Sequence, residues 1–217
     1  MLDSRDHQAF ITKQLQNFFP DKHGQKSIEE TIKKNYSEAM DRQLFSQKNV
    51  KLSSHSEYSY LHSDLNAQFI YYLSNTIWRN ESDTNIPTKL FYLNKALHSF
   101  NCSYDTELPN IFLLIHCLGM VLGKASYSDY MVACQNITVG SDAGISPRLG
   151  KGLYLGPGSS VIGNSKLGSN VHLAVNATVL NKSVQSNILC IGSDQRQWKK
   201  IKRNLLKEIY FDFKHSI

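Results

Sequence analysis

Between residues 147 and 180 an aliphatic side chain recurs at every sixth position: Leu149, Leu155, Val161, Leu167, Leu173 and Val179. An α-helix repeats its apolar face at about 3.6 residues and a strand at 2, so neither keeps all six in phase. Three short strands per turn of a triangular coil would, each side giving one inward aliphatic and one corner. Gly150, Gly156 and Gly168 directly follow an aliphatic, where crowded backbone favours the absence of a Cβ. Asn164, Asn170 and Asn176 share one phase of the hexad and are expected at turns, since asparagine tolerates left-handed dihedrals.

Upstream the pattern is different. Residues 1 to about 100 are polar and helix-like: "KSIEETIKKNYSEAMDRQLF" carries Ile28, Ile32, Tyr36 and Met40 at spacings of four. "LNAQFIYYLSNTIWRN" and "TKLFYLNKALHSF" repeat the stripe with aromatics, separated by the loop-like "ESDTNIP". From about 108 strand residues, glycines and asparagines take over. After 192 the spacing of Trp198, Ile201, Leu205, Ile209 and Phe213 predicts a last helix, with Lys199, Lys200, Lys202, Arg203 and Lys207 opposite. The predicted organisation is therefore mixed: a helical domain over 1–106, a coil of short parallel strands over 107–192, and a basic amphipathic helix over 193–217. That last helix either docks on its own domain or lies on an anionic membrane.

Composition narrows the function classes. The chain has 217 residues and 41% apolar content, enough for a real core. Its first twenty residues hold no apolar signal region. The longest apolar run, "IFLLIHCLGMVLG", has thirteen residues, short of the roughly twenty that cross a bilayer. A cytoplasmic protein is expected, with the inner membrane face as an alternative position. Cys102, Cys117, Cys134 and Cys190 form no CxxC pair and read as small buried residues. The net charge of +6 suits several anionic partners without choosing one. No phosphate-binding loop or RNA-binding signature is present, so no nucleic-acid partner is expected.

"IHCLGMVLGKASYSDYMVACQNITVG", a loop, and "PRLGKGLYLGPGSSVIGNSKLGSNVHLAVNATVL" together resemble the hexapeptide-repeat acyltransferases, most closely their serine acetyltransferase branch. The resemblance rests on His116-x-x-Gly119, Gln135-x-x-Thr138-x-Gly140, the proline and basic residue ahead of the regular hexads, and the preceding helical domain. It covers residues 107–192 at motif level. It implies a left-handed parallel β-helix, a homotrimer or dimer of trimers, and acetyl-CoA as co-substrate in a groove between subunits.

Chemistry is expected at His116, an imidazole among Leu114, Ile115 and Cys117. Acetyl transfer from a thioester requires removal of one proton as the nucleophile attacks, and a pKa near 6.5 suits histidine to that task. The resemblance implies an upstream acid orienting the ring; Glu107 is the first candidate, Asp105 and Asp129 the reserves. Gly140 is the candidate oxyanion donor through its N–H. For the pantetheine arm the candidates are Gly156, Gly158, Ser159 and Ala174; for the nucleotide phosphates, Arg196 and Lys199. No metal is expected, because the coil offers only His116 and His172, about three coils apart.

The acceptor follows from local departures. Serine acetyltransferases carry an aspartate before the active-site histidine and an arginine and histidine before the proline. Here those places hold Ile115, Ile145 and Ser146. An apolar wall fits a sugar hydroxyl of a capsule or lipopolysaccharide better than a zwitterion, with Ser141, Asp142, Ser146 and Arg148 supplying polar contacts. Serine is the alternative, favoured by the terminal Ile217, which the resemblance links to docking on a sulfhydrylase. A non-catalytic trimeric scaffold or membrane-surface module is the third reading.

Overall fold

The computed structural model describes residues 3–20, 24–55, 57–82 and 84–213. Four helices come first: α1 (Ser4–Phe18), α2 (Gln25–Gln47), α3 (Ser63–Glu81) and α4 (Asn85–His98). Ile28, Ile32 and Tyr36 of α2 are buried as their spacing predicts. Helix α3 is buried on nearly every side from Asp64 to Ile77, which is why its aromatic run shows no polar face.

The chain then winds into a left-handed parallel β-helix with three faces. Face 1 stacks β2 (Phe112–Ile115), β4 (Met131–Cys134), β7 (Tyr154–Leu155), β10 (His172–Leu173) and β13 (Ile188–Cys190). Face 2 stacks β1 (Phe100–Asn101), β3 (Met120–Leu122), β5 (Thr138–Gly140), β8 (Ser160–Ile162) and β11 (Thr178–Leu180). Face 3 stacks β6 (Arg148–Leu149), β9 (Lys166–Leu167) and β12 (Ser183–Val184). All six hexad aliphatics point inward, none more than 5% exposed. Each contributes about 1.5 to 3 kcal/mol by leaving water.

The corners explain the small residues. A Cβ on Gly150 would come within 2.5 Å of the Gly168 backbone in the next coil, so the glycine is a condition of stacking. Asn170 and Asn176 take positive φ as expected, joined by Asn136, Asn181 and Asn187. Asn164 does not; Gly163 holds the left-handed position there, and Asn164 donates its N–H to Asn181 Oδ1 at 2.7 Å.

The first coil would expose an unpaired strand edge, and the helical domain caps it. Ser46 Oγ accepts the Phe112 N–H at 3.2 Å, Gln68 Nε2 donates to the Phe112 carbonyl at 3.1 Å, and Tyr71 Oη accepts the Leu108 N–H at 2.9 Å. Strand β1 already belongs to face 2, so the coil begins upstream of residue 107.

The carboxy-terminal region differs from the predicted helix. β14 (Lys199–Lys200) runs antiparallel to β13, a five-residue π-helical turn spans Leu206–Tyr210, and Phe211 bridges to Val50. The residues that bury fully are Leu206 and Phe211, not the predicted stripe: Leu205 and Ile209 are exposed. Tertiary anchors override the helical spacing, since Phe211 packs on Tyr130 and the Lys51 N–H donates to the Tyr210 carbonyl at 2.8 Å. Among the described residues the basic amphipathic helix expected over 193–217 is therefore not formed. Among the described residues no helix is long and apolar enough to cross a bilayer. Ile217 lies outside the described residues.

Candidate active site

His116 sits at the corner between faces 1 and 2, and that corner is irregular. Ile115 pairs with Cys134 and Val121 with Thr138, yet residues 116–120 fill the interval in one coil and only 135–137 in the next. The first corner thus carries two residues more. In later coils the match is even: 134–137 lie over 156–159, and 156–159 over 174–177. The extra residues form a bulge that pushes His116 outward, where it is exposed with φ of +53°. For a non-glycine residue this conformation costs about 1 to 2 kcal/mol and needs support from its surroundings.

Asp64, in the first turn of α3, supplies the support. Its Oδ2 accepts the His116 N–H at 3.0 Å and its Oδ1 the Cys117 N–H at 2.8 Å. Bulged N–H groups have no ladder partner, and this one carboxylate satisfies both. Burial first, then the neighbouring Asp64 charge, pushes the Cys117 thiol up to about 12, so it stays protonated. Spacing along the chain could not reveal Asp64, because it acts from helix α3, 52 residues away from His116. Its only local signal, serine and aspartate opening an apolar run, reads as an ordinary helix start.

The three predicted orienting acids are elsewhere. Glu107 is exposed and forms no described hydrogen bond to His116. Asp105 is held by Lys124 Nζ and Ser103 Oγ, both at 2.6 Å. Asp129 accepts the N–H groups of Asn110 and Ile111, pinning the approach to β2. Gly140 is displaced as well. It lies at the far end of face 2, roughly 10 Å of strand from the His116 corner. Its register against Ile162, with its carbonyl accepting the Gly163 N–H at 2.9 Å, points its own N–H along the ladder toward Val161.

The pantetheine candidates share the His116 corner, two to three coils along it. Gly156 and Ala174 donate their N–H groups to the Leu173 and Cys190 carbonyls, and Gly158 is left-handed beneath Asn176. Ser159 is fully buried, and its Oγ has no partner among the described residues. Arg196 is clamped in a fork on Asp194 at 2.7 and 3.0 Å, so an incoming phosphate would have to compete for it. Lys199 is exposed on β14.

The loop of Ser141, Asp142, Ser146 and Arg148 stands at the opposite end of face 2. Asp142 and Ile145 exchange backbone hydrogen bonds across Ala143 and Gly144, and Asn181 Nδ2 ties down Asp142 at 2.8 Å. Ser141, Asp142 and Arg148 are exposed and Ser146 is half-buried. Ile145 is 50% exposed. His172 lies three strands from the His116 strand on face 1, and burial lowers it to about 4. With Tyr154, Leu205, Ile209 and Tyr210 it lines a cavity of about 250 Å³ under the carboxy-terminal segment.

No family model matches the chain. A serine acetyltransferase of Synechococcus elongatus is 29% identical over 112 residues, 49% of this chain and 46% of that protein. The match thus spans about half the length of that curated relative. The solved serine acetyltransferase of Neisseria gonorrhoeae superposes with a TM-score of 0.71 at 16% identity, covering 94% of this chain and 81% of that one. A serine acetyltransferase solved with CoA gives 0.68 at 16% identity, covering 88% and 83%. The resemblance read from the hexads is confirmed, in fold across the helical domain and the coil and in sequence over about half the chain.

Proposed function

We propose that this chain is an acetyl-CoA-dependent O-acetyltransferase whose general base is His116. The observation that carries the proposal is the bulge: a strained, exposed imidazole held out of an otherwise regular corner by a carboxylate from a second domain. In the reaction the imidazole takes the proton of the acceptor hydroxyl as its oxygen attacks the thioester carbonyl. The tetrahedral intermediate collapses, the C–S bond breaks, and the leaving thiolate takes the proton from the imidazolium. No covalent enzyme intermediate is required.

The pantetheine arm runs along the His116 corner past Gly156, Gly158, Ser159 and Ala174, with Lys199 nearer the phosphates. The acid that orients the ring and the oxyanion donor come from outside the single chain's His116 corner. Assembly as a trimer accounts for both. The loop from Ser141 to Arg148 lies across face 2 from His116, so the two meet only between copies. Leu118 and Val175, 60% and 64% exposed at this corner, would be covered by such a neighbour.

For the acceptor we favour serine over a sugar, because the likeness to serine acetyltransferases extends through the helical domain. The sugar reading keeps one specific support: Ile115, Ile145 and Ser146 stand where a zwitterion would want charges. A thiol-release assay with acetyl-CoA decides between them. Serine turnover with a KM below about 1 mM and inert nucleotide sugars is the expected result. The opposite ranking selects the sugar. Turnover of neither, with no thermal protection by CoA, leaves the trimeric scaffold.

A further inference from the structure

Behind the His116 bulge stands a group of side chains that acetyl transfer does not use. His55 closes a short 3-10 turn (Ser53–His55), His62 caps the start of α3, and Asp64 follows in its first turn. Each offers one ligand atom, and these atoms lie within 4.8 Å of one another. The two rings meet edge to face with centroids 4.8 Å apart.

Two features separate this group from a chance cluster. His55 is only 5% exposed, yet its Nε2 has no hydrogen-bond partner among the described residues. Nδ1 of His62 is likewise buried and unpartnered. A buried ring nitrogen without a partner is costly to keep, so two facing one carboxylate call for an occupant. The supporting shell is also in place. Ser54 Oγ meets His55 Nδ1 at 2.9 Å, leaving Nε2 as the free donor atom. Asp64 is oriented by the His116 and Cys117 N–H groups. Metal-binding histidines and carboxylates are fixed by outer partners in this manner.

We propose that His55, His62 and Asp64 form a site for a divalent transition metal of the zinc class, joining the helical domain to the bulge that carries His116. Two imidazoles and a carboxylate are the donor set of three-ligand zinc sites, with water in the fourth position. Tetrahedral zinc wants ligand atoms roughly 3.4 Å apart, so binding draws the rings inward. Acetyl transfer itself requires no metal, and the site stands whichever acceptor proves correct. Its role is to hold Asp64, and through it the backbone of His116, in place. In the metal-free protein the Leu114 carbonyl, which already lies beside the His55 ring, is the competing partner, although Nε2 makes no hydrogen bond of good geometry among the described residues.

The test uses the full-length, tag-free protein stripped with a chelator and titrated with Zn²⁺ against a chromophoric competitor. Expected are one equivalent per chain, a rise in melting temperature, and Co²⁺ spectra with the d–d bands of a four-coordinate N/O site. His55→Ala and His62→Ala should each abolish stoichiometric uptake. Ser54→Ala, which touches no metal, should weaken it about 10-fold. His116→Ala should bind as the wild type does. Absence of uptake, or unchanged uptake in a folded His55→Ala/His62→Ala protein, overturns the proposal. If that double variant fails to fold, the Ser54→Ala affinity decides: no change relative to wild type counts against the site.

Discussion

The corner at His116 and the corner at Gly156 belong to one column of the β-helix, two coils apart, and they are built by different means. At Gly156 the backbone closes on itself: the Gly156 and Gly158 N–H groups meet the Leu173 and Gln135 carbonyls of the adjacent coils, the Ser159 N–H turns back to the Gly156 carbonyl, and Gly158 takes the left-handed position without strain. At His116 two extra residues break that ladder, and the repair comes from Asp64, far away in sequence. A regular corner is a local solution repeated. The irregular one needs a carboxylate from the helical region, and the strain it keeps is what presents an imidazole.

The regular side of this contrast breaks most severely in its core. Leu155→Asn would bury an amide among aliphatic residues, and we expect a loss of about 2 to 4 kcal/mol in denaturant unfolding. An unchanged midpoint would show that the hexad does not specify the interior. The irregular side is tested by Asp64→Ala, which orphans two buried-side N–H groups at a cost of about 1 to 3 kcal/mol. Acetyl transfer should fall with it, while Asp64→Asn, keeping one acceptor, should recover part of both. Equal stability and activity in all three proteins would detach the bulge from the helical domain.

Acid separates the regions more gently. Burial lowers His7 in the helical domain and His172 in the coil to about 4 each, from 6.5. The unfolded chain therefore binds more protons between these values. Each group's contribution is complete above pH 6.5 and is lost progressively as pH falls toward 4. His172→Gln should flatten the coil's share of that slope, as read from melting temperature against pH. Smallest is Asn176→Ala at a left-handed corner, about 1 kcal/mol, with Asn176→Gly close to neutral.

What could be read without the structure divides along the same line. The coil was legible because its interior repeats: six aliphatics in phase name their own neighbours, and Gly150 and Gly156 mark where coils touch. His116 is singled out by its motif, and the structure places it on the irregular corner. Asp64 is not singled out, because a contact from a helix 52 residues away leaves no period. Glu107 lies in "DTELP", the segment nearest to the upstream acid that the resemblance implies, yet its side chain is exposed and has no described hydrogen bond to His116. The carboxy-terminal stripe fitted a helix, yet Leu206 and Phe211, both off that stripe, take the anchoring positions. Gly140 matched a motif while its N–H was already committed to a ladder that spacing cannot show.

The most direct test is the initial rate of thiol release from acetyl-CoA, with the best acceptor found, by wild type and His116→Ala at equal CoA occupancy. The account predicts a fall of about 10²-fold or more with unchanged CoA affinity and melting temperature, as loss of a general base requires. A rate within a few-fold of wild type would contradict it, and would make the bulge a structural irregularity with no part in the chemistry.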